Sequence, residues 1–423
     1  GSKEHWLCVP AKSSETPVRS FGCTTPELIA LADWLSECGV TTVAMESTGV
    51  EWVPLFQILT AREVQVYLVN AHRVKNVPGR KSDISDCQWL QQLHSYGLLA
   101  ASFVPVGEIA VLRSYLRQRE NLLRSATTHI QRMQKALVQM NLQLHKVISD
   151  ITGVTGLNII RAIIHGQRNP SLLAKLADRR IKSSPQAIEA ALTGNYREEM
   201  VFILAQELSL YEFYQQQISQ LDTQIEQCLS QFPTVTDEPL PPSKKKNRHR
   251  SNTPRFDLRE HLYRITGVDL TAIDGLDVVT VQTIIAEVGL DPSKFATEKQ
   301  FASWLGLCPN PRITGGRVKS SQTRSVANRA ATAFRLAAQA VSRSKTVLGA
   351  YYRRLAYRCG APKAITATAH KIARIFYRLW KTKQPYQDPG VEEYEQRHRD
   401  KAIKSLHKKA ASFNLQLVPV QEA

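Results

Sequence analysis

The sequence lacks features that mark several common classes of protein. No apolar run approaches the roughly 18 to 20 residues of a membrane span, so we expect a protein that does not enter a membrane. The seven cysteines are scattered without Cys-x-x-Cys spacing, which argues against a zinc module and against a disulfide framework. The N-terminus has no hydrophobic signal segment, and we therefore expect a cytoplasmic location.

Acidic residues are missing from one long stretch. From Lys299 to Gln387 the sequence has no Asp or Glu but 18 Lys and Arg residues, in a chain whose net charge is +18. Solvated surfaces normally mix charges of both signs, because a surface of one sign repels itself. The stretch therefore predicts a polyanionic partner, above all nucleic acid, with an ordinary solvated face as the alternative.

Length and hydrophobic pattern predict several domains. A chain of 423 residues with 43% hydrophobic residues can form two or three substantial cores. Alternating strand-like and helix-like segments come first and predict an α/β domain with a mixed sheet. The predicted segments are an α/β domain at 1–105, a helical coiled-coil region at 106–232, a basic disordered linker at 233–256, a mostly α-helical domain at 257–387 and a charged helical tail at 388–423.

Two segments of the coiled-coil region carry apolar residues at heptad spacing. The pattern predicts one long helix at 107–147 and a second at 199–232. We expect the two to pair as an antiparallel arm or to form a dimer contact.

Glycines mark two turns that resemble those of helix-hairpin-helix units. Gly153 and Gly156 lie in the first turn and Gly275 lies in the second. Such glycines let backbone amides approach a phosphate. A simple turn between helices is the alternative.

Three carboxylates are candidate metal ligands. Glu46 ends an apolar, β-branched segment, whereas Asp83 and Asp86 lie three residues apart at a predicted helix start and share one face. Mg²⁺ prefers oxygen ligands, and two ions about 4 Å apart stabilise the attacking and leaving oxygens of phosphoryl transfer. The alternatives are structural: Ser82 or Asp83 caps the helix and Asp86 complements its dipole. Glu46 would then only accept backbone hydrogen bonds.

A second candidate site surrounds Thr314, which precedes two glycines. A hydroxyl in such a turn can attack a phosphodiester, and neighbouring cations would stabilise the developing charge. A turn that grips phosphate without covalent chemistry is the alternative. The candidate nucleic-acid-binding residues are Arg312, Gly315, Gly316, Arg317 and Lys319, together with Lys244, Lys245 and Lys246 of the linker.

The motifs together resemble one family. They are Met-Glu46-Ser-Thr-Gly, Gly-Arg-Lys-Ser-Asp83-Ile-Ser-Asp86, Trp304-Leu-Gly-Leu-Cys-Pro, Ile-Thr-Gly-Gly and the segment from Ala361 to Lys371. They are similar to motifs of the DEDD-type insertion-sequence transposases, the "IS one-ten" superfamily with its "IS eleven-eleven" branch. The similarity spans nearly the whole chain.

This resemblance implies a RuvC-like N-terminal domain of the RNase H fold and a C-terminal transposase domain with a catalytic serine. It implies that Glu46, Asp83 and Asp86 bind Mg²⁺ or Mn²⁺. The recombinases of the family excise and insert DNA through a covalent serine–DNA intermediate, and related members are guided by an element-encoded bridge RNA. The expected partners are therefore DNA, a guide RNA and further copies in a dimer or tetramer. The expected location is the prokaryotic cytoplasm, in association with the nucleoid.

The sequence departs from the family pattern at two positions. The first acid of the family is an Asp on the opening strand, before a Gly-Ser-Lys-like turn; the sequence begins at Gly1, and truncation is the simplest explanation. Thr314 stands where the family has its serine, and the extra methyl restricts χ1 and crowds an in-line attack. Ser320 and Ser321 are nearby substitutes. The alternatives are a RuvC-like metal-dependent junction nuclease and a non-catalytic nucleic-acid-binding transposase derivative.

Overall fold

The chain divides into two compact units, Gly1–Val104 and Pro105–Ala423. The computed structural model describes residues 3–47, 49–69, 82–99, 101–105, 107–243, 252–326 and 328–418. Most of these residues are helical. No helix in these ranges is long and apolar enough to span a membrane.

In its described residues, the N-terminal unit combines two strand pairs with three helices. β1 (Glu4–Cys8) and β2 (Val18–Gly22) form an antiparallel hairpin, whereas β3 (Thr42–Glu46) and β4 (Gln65–Val69) pair in parallel. The helices are α1 (Thr25–Glu37), α2 (Trp52–Ala61) and α3 (Asp83–Ser95). The strands and helices alternate as predicted, but the described strands form two separate pairs, so the prediction of one mixed sheet is wrong for this part of the chain.

The core of this unit lies between the strands and helices α1 and α2. Leu28, Leu31 and Leu35 recur at helical spacing on the buried face of α1. α2 contributes Leu59, and β3 contributes Met45 from the inner side of the strand. This packing fixes the end of β3, where Glu46 lies.

Two long helices dominate the first part of the second unit. α4 (Glu108–Gln139) and α9 (Glu198–Gln231) run antiparallel, because Arg119 of α4 pairs with Asp222 of α9 and, further along, His129 pairs with Glu207. The predicted antiparallel pairing is therefore present within one chain. The four short helices between them are α5 (Leu144–Val147), α6 (Val154–Ile164), α7 (Pro170–Ala174) and α8 (Pro185–Ala191).

The prediction of one uninterrupted helix at 107–147 is wrong. α4 ends at Gln139, and Asn141 adopts the left-handed conformation with φ +57°. Asn tolerates this conformation better than most residues. The break lets Leu142 and Leu144 turn into a small core that also contains Ile159.

The helices between Leu258 and Thr382 share one large core, in which Phe301, Phe334, Phe376 and Trp380 are fully buried. The ends of α4 and α9 also enter this core, through Leu112 and other residues. The elements are α10 (Leu258–Thr266), α11 (Val278–Val288), α12 (Glu298–Trp304), β5 (Arg312–Thr314), β6 (Arg317–Ser320), α13 (Arg329–Val341), α14 (Val347–Cys359), α15 (Ala361–Thr382) and α16 (Val391–Ala411).

The glycines of the predicted hairpin-like turns serve close packing. A Cβ at Gly156 would lie 2.2 Å from the carbonyl oxygen of Ile151. At Gly275, where φ is +87°, it would lie 2.6 Å from the carbonyl oxygen of Ala337. Because protein backbone fills the space beside both glycines, the structure favours the simple-turn alternative over a phosphate site.

Candidate functional site

The three predicted carboxylates lie on two elements of the N-terminal unit that pack against each other. Glu46 is the last residue of β3 and is half-buried. Asp83 and Asp86 are exposed in the first turn of α3. The strand end and the helix start therefore lie where the sequence predicted them.

The last turn of α3 contacts the start of β3. His94 Nε2 lies 2.9 Å from Thr42 Oγ1, and its ring packs against Tyr67 of β4. Asp83 and Asp86 lie at the opposite end of this helix.

Serine side chains, and not the carboxylates, cap α3. The amide of Ser85 donates to Ser82 Oγ at 3.2 Å, and the amide of Ser82 donates to Ser85 Oγ at 3.1 Å. This is a reciprocal capping box. Capping by Ser82 is confirmed and capping by Asp83 is wrong. Both Asp83 and Asp86 lie in the first turn, where the helix dipole favours acidic residues.

The carboxylates are not gathered into a ligand set. Among the residues that the structure describes, which include Glu46, Asp83 and Asp86, no three His, Cys, Asp or Glu side chains are placed to hold a metal ion. The donor chemistry suits Mg²⁺, but the spacing does not. A metal site at these residues therefore requires a further donor or a closer approach of the three.

A cavity of about 500 Å³ separates the two strand pairs of this unit. Residues 6–10, which include most of β1, form one wall and residues 41–44 at the start of β3 form another, with Leu90 and His94 of α3 closing it. Within the described ranges β1 pairs only with β2, and β3 pairs only with β4. Both strands that line the cavity are therefore edge strands, which can accept another strand.

Thr314 lies at the tip of an exposed hairpin in the second unit. β5 and β6 pair antiparallel, with Thr314 opposite Arg317. Gly315 and Gly316 form the turn with φ values of +55° and +72°, the signs that a type I′ turn requires. Apart from the glycine itself and the adjoining residues, no described atom lies within 4 Å of a Cβ built on either glycine, so another molecule can approach the tip.

The sequence prediction missed two apolar residues of this hairpin. Ile313 and Val318 lie opposite each other, and each is 61% exposed. A two-stranded hairpin is only marginally stable in water, so an exposed apolar pair on it favours a bound partner. In the sequence these two residues alternate with Arg312, Arg317 and Lys319, and this strand-like pattern is the signal that could have identified them.

The cations of the acid-free stretch have few acidic partners. Arg329 pairs with Glu120 at 2.6 Å, and Arg374 pairs with Glu298. No other Lys or Arg of the stretch forms an ion pair with a carboxylate in the described part of the chain, and the flanking residues of the hairpin, Arg312, Arg317 and Lys319, are exposed. Lys244, Lys245 and Lys246 lie outside the described residues.

Comparison with known proteins decides the family. A family model described as a transposase, for the DEDD type of IS110 elements, matches residues 1–142. A second, described as the transposase IS116/IS110/IS902 family, matches residues 269–353. This chain belongs to the IS110 family of transposases. No curated protein matches it.

The matches confirm the resemblance that the motifs indicated. Together they cover more than half of the chain of this transposase. The first includes Glu46, Asp83 and Asp86, and the second includes Thr314 and its flanking cations. Membership supports a DNA transposase or recombinase, and DEDD transposases generally depend on divalent metal ions.

Proposed function

We propose that this transposase cuts and joins DNA through a covalent bond between the Thr314 hydroxyl and a DNA phosphate. Glu46, Asp83 and Asp86 would hold Mg²⁺ or Mn²⁺, and an element-encoded RNA would select the DNA. The observation that carries the proposal is the hairpin tip, where a hydroxyl stands beside an open glycine turn among cations that have no acidic partner in the described ranges.

The hairpin supplies the nucleophile of this reaction and cations for the phosphate. Attack of Thr314 Oγ1 on phosphorus forms a new P–O bond and breaks the P–O bond to the adjoining sugar. The threonine proton passes to solvent, and the departing strand end takes up a proton from solvent to become a hydroxyl. Arg312, Arg317 and Lys319 would hold the backbone and stabilise charge that develops on the phosphate oxygens.

The methyl group of Thr314 is compatible with this role. It restricts χ1, which limits the directions from which the hydroxyl can attack. The residue is exposed, however, and the glycines beside it have open space around them. We therefore propose that threonine replaces the serine of the family at a cost in rate and without loss of mechanism.

We infer that the cavity between β1 and β3 accepts one further strand, which carries the first Asp of the family pattern. Edge strands on both walls support this inference. One strand between them would join the two pairs into a single mixed sheet, because neighbouring strands lie about 4.8 Å apart. Its Asp would supply a donor that Glu46, Asp83 and Asp86 lack. When bound, the divalent ion stabilises charge on the reacting oxygens.

A non-catalytic role in binding nucleic acid is the second candidate. It is favoured by the separation of the three carboxylates, which do not form a ligand set in the described part of the chain. This role predicts DNA binding that falls steeply with salt and persists in Asp83→Asn and Asp86→Asn, without any strand cutting.

A covalent-trapping experiment tests the proposal. The protein is incubated with labelled element-end DNA, guide RNA and Mg²⁺, and adducts are resolved on a denaturing gel. We expect an adduct with the natural protein, a stronger one with Thr314→Ser and none with Thr314→Ala. Ser321→Ala, just beyond the hairpin, is the matched control and keeps the adduct.

Two outcomes contradict the covalent mechanism. An adduct that survives Thr314→Ala places the nucleophile elsewhere. Metal-dependent cutting that survives Thr314→Ala without any adduct indicates attack by water, as in a junction nuclease.

A further inference from the structure

A second cavity, of about 770 Å³, lies in the second unit. α14, α15, α16 and the segment that joins α15 to α16 form its walls. Its volume lies within the roughly 300–1,000 Å³ typical of ligand sites. The polar and aromatic side chains that line it are Lys371, Arg378, Gln384, Tyr386, Gln387, Tyr394 and Arg397. No Asp or Glu is among the described residues of the lining.

Lys371 is the half-buried cation of this cavity. Its Nζ lies 4.3 Å from the ring centre of Tyr351 and 5.3 Å from that of Tyr394, so two aromatic rings hold the ammonium. Burial lowers the pKa of Lys371, and the charge of Asp388 opposes this shift. No carboxylate in the described ranges forms an ion pair with Lys371, so its charge is only partly compensated.

Beside the cavity lining, Arg354 carries a donor that has no acceptor among the described residues. The guanidinium carbon of Arg354 lies 5.0 Å from the ring centre of Tyr394, and its Nη1 is buried without a hydrogen-bond partner among the described residues. Buried donors of this kind are rare unless water or a ligand accepts from them. The surroundings of Tyr394 therefore favour an additional acceptor.

The remaining cations differ in how they are paired. Arg378 is exposed and forms no ion pair in the described part of the chain, whereas Arg397 pairs with Glu393 on its own helix. Lys371 and Arg378 lie two turns apart on α15 and belong to the acid-free stretch. Two cations on one helix face are thus available to an anion that enters the cavity.

We propose that this cavity binds one nucleotide of a single-stranded nucleic acid, with its phosphate between Lys371 and Arg378 and its base against Tyr394. An aromatic face accepts any base, which provides binding without sequence preference. A nucleotide inside a duplex is excluded because its base is stacked and paired. The proposal rests on the proposed function for the source of the strand, which is displaced DNA or unpaired RNA.

The site also gives a role to the segment from Ala361 to Lys371. This segment carries part of the family resemblance, yet the proposed chemistry at Thr314 does not use it. It forms the first half of α15 and ends at the half-buried Lys371. We therefore assign this segment to binding of the single strand.

Binding of a labelled ten-nucleotide oligo-dT, measured by fluorescence anisotropy without Mg²⁺, tests the proposal. We expect Tyr394→Leu to weaken binding about tenfold, since one stacked base contributes about 1–3 kcal/mol. We expect a similar loss in Lys371→Met, because this variant loses its contact with the phosphate. Lys363→Met, on the exposed side of the same helix, and Tyr357→Leu, 97% exposed on α14, are matched controls and leave binding within about twofold.

An abasic oligonucleotide separates the two contacts. The Tyr394→Leu loss should vanish on an abasic strand, because no base remains to stack, whereas the Lys371→Met loss should persist. Tyr394→Trp keeps an aromatic face and should retain binding. This variant shows whether the loss in Tyr394→Leu comes from the missing aromatic face or from misfolding. Equal losses in the cavity variants and in their controls, or no loss in either cavity variant, would overturn the proposal.

The assay distinguishes failure of this proposal from failure of the covalent mechanism. A protein that binds through the cavity but forms no Thr314 adduct contradicts the covalent mechanism alone. A protein that forms the adduct, and whose binding is unchanged in Lys371→Met and Tyr394→Leu, contradicts the cavity alone.

Discussion

The two candidate sites of this transposase are built in opposite ways. Glu46, Asp83 and Asp86 belong to a packed unit in which a strand end and a capped helix determine their positions. Thr314 belongs to an exposed hairpin whose turn has open space around it. The elements that carry the carboxylates are packed, but in the described structure the carboxylates do not form a ligand set. The hydroxyl is accessible, but the hairpin that carries it is exposed.

This difference indicates what each site requires from other molecules. The carboxylates need a further donor or a closer approach before they can hold a metal ion, and the strand that we propose for the neighbouring cavity would provide a donor. The hairpin exposes Ile313 and Val318 among its cations, and the DNA of the proposed function would neutralise those cations.

Loss of one carboxylate has the largest expected effect. Asp83→Asn removes a metal ligand and should lower the rate of adduct formation at least about 10³-fold, whereas DNA binding should stay within about twofold. Rates are measured by trapping and affinity by anisotropy. Glu27→Gln, a capping residue of α1 in the same unit, is the control. Equal activity of Asp83→Asn and the natural protein would show that the Asp83 carboxylate takes no part in the reaction.

Removal of a buried charge should destabilise the unit that carries the hairpin. Arg119 forms a two-point contact with Asp222, and both are buried between α4 and α9. Arg119→Ala leaves Asp222 as an unpaired buried charge and should lower the free energy of unfolding by about 3–5 kcal/mol. Urea denaturation followed by circular dichroism measures the change.

Arg124→Ala is the matched control for this effect. Arg124 lies on the same helix and pairs with Glu120 in an exposed contact. Its loss should cost only about 0.3–0.5 kcal/mol. Similar changes for both variants would show that the buried pair does not stabilise the helix pair.

Neutralising one hairpin cation should weaken DNA binding moderately. Arg317→Met removes one phosphate contact, which should reduce the slope of log affinity against log salt by about 0.9 on duplex DNA. Titrations at several salt concentrations give the slope. Arg399→Met on α16, exposed and distant in sequence, should leave it unchanged. An unchanged slope in Arg317→Met would show that Arg317 does not contact the DNA backbone.

A change in the turn should have the smallest effect. Gly316 has φ +72°, and a side chain in this conformation costs about 1–2 kcal/mol. Gly316→Ala should therefore slow adduct formation about five- to thirtyfold. Gly390→Ala, also at positive φ with open space but outside the hairpin, should not alter the rate. A normal rate in Gly316→Ala would show that the turn does not position the hydroxyl.

Local patterns in the sequence predicted the elements that carry the candidate site. The β-branched run before Glu46 predicted β3, and Ser82 followed by Asp83 predicted the start of α3. Heptad spacing predicted that two long helices pair. These features depend on neighbours close in sequence, which is why they were accessible without a structure.

Features that depend on distant contacts were not predicted. The break at Asn141 exists because Leu142 and Leu144 bury themselves among helices that follow later in the chain. Spacing indicated that Asp83 and Asp86 share a helix face, but it carries no information on their distance from Glu46. The cavity at Lys371 also escaped prediction, because three helices and a connecting segment form its walls.

Mass spectrometry of the trapped adduct tests the covalent mechanism most directly. Trypsin cleaves after Arg312 and Arg317, and the peptide between them contains one hydroxyl side chain, that of Thr314. The neighbouring serines fall in a separate peptide, Ser320 to Arg324, after cleavage at Lys319. We expect the nucleotide mass on the Thr314 peptide. A nucleotide mass on the Ser320 peptide, or on neither, would contradict the proposed role of Thr314.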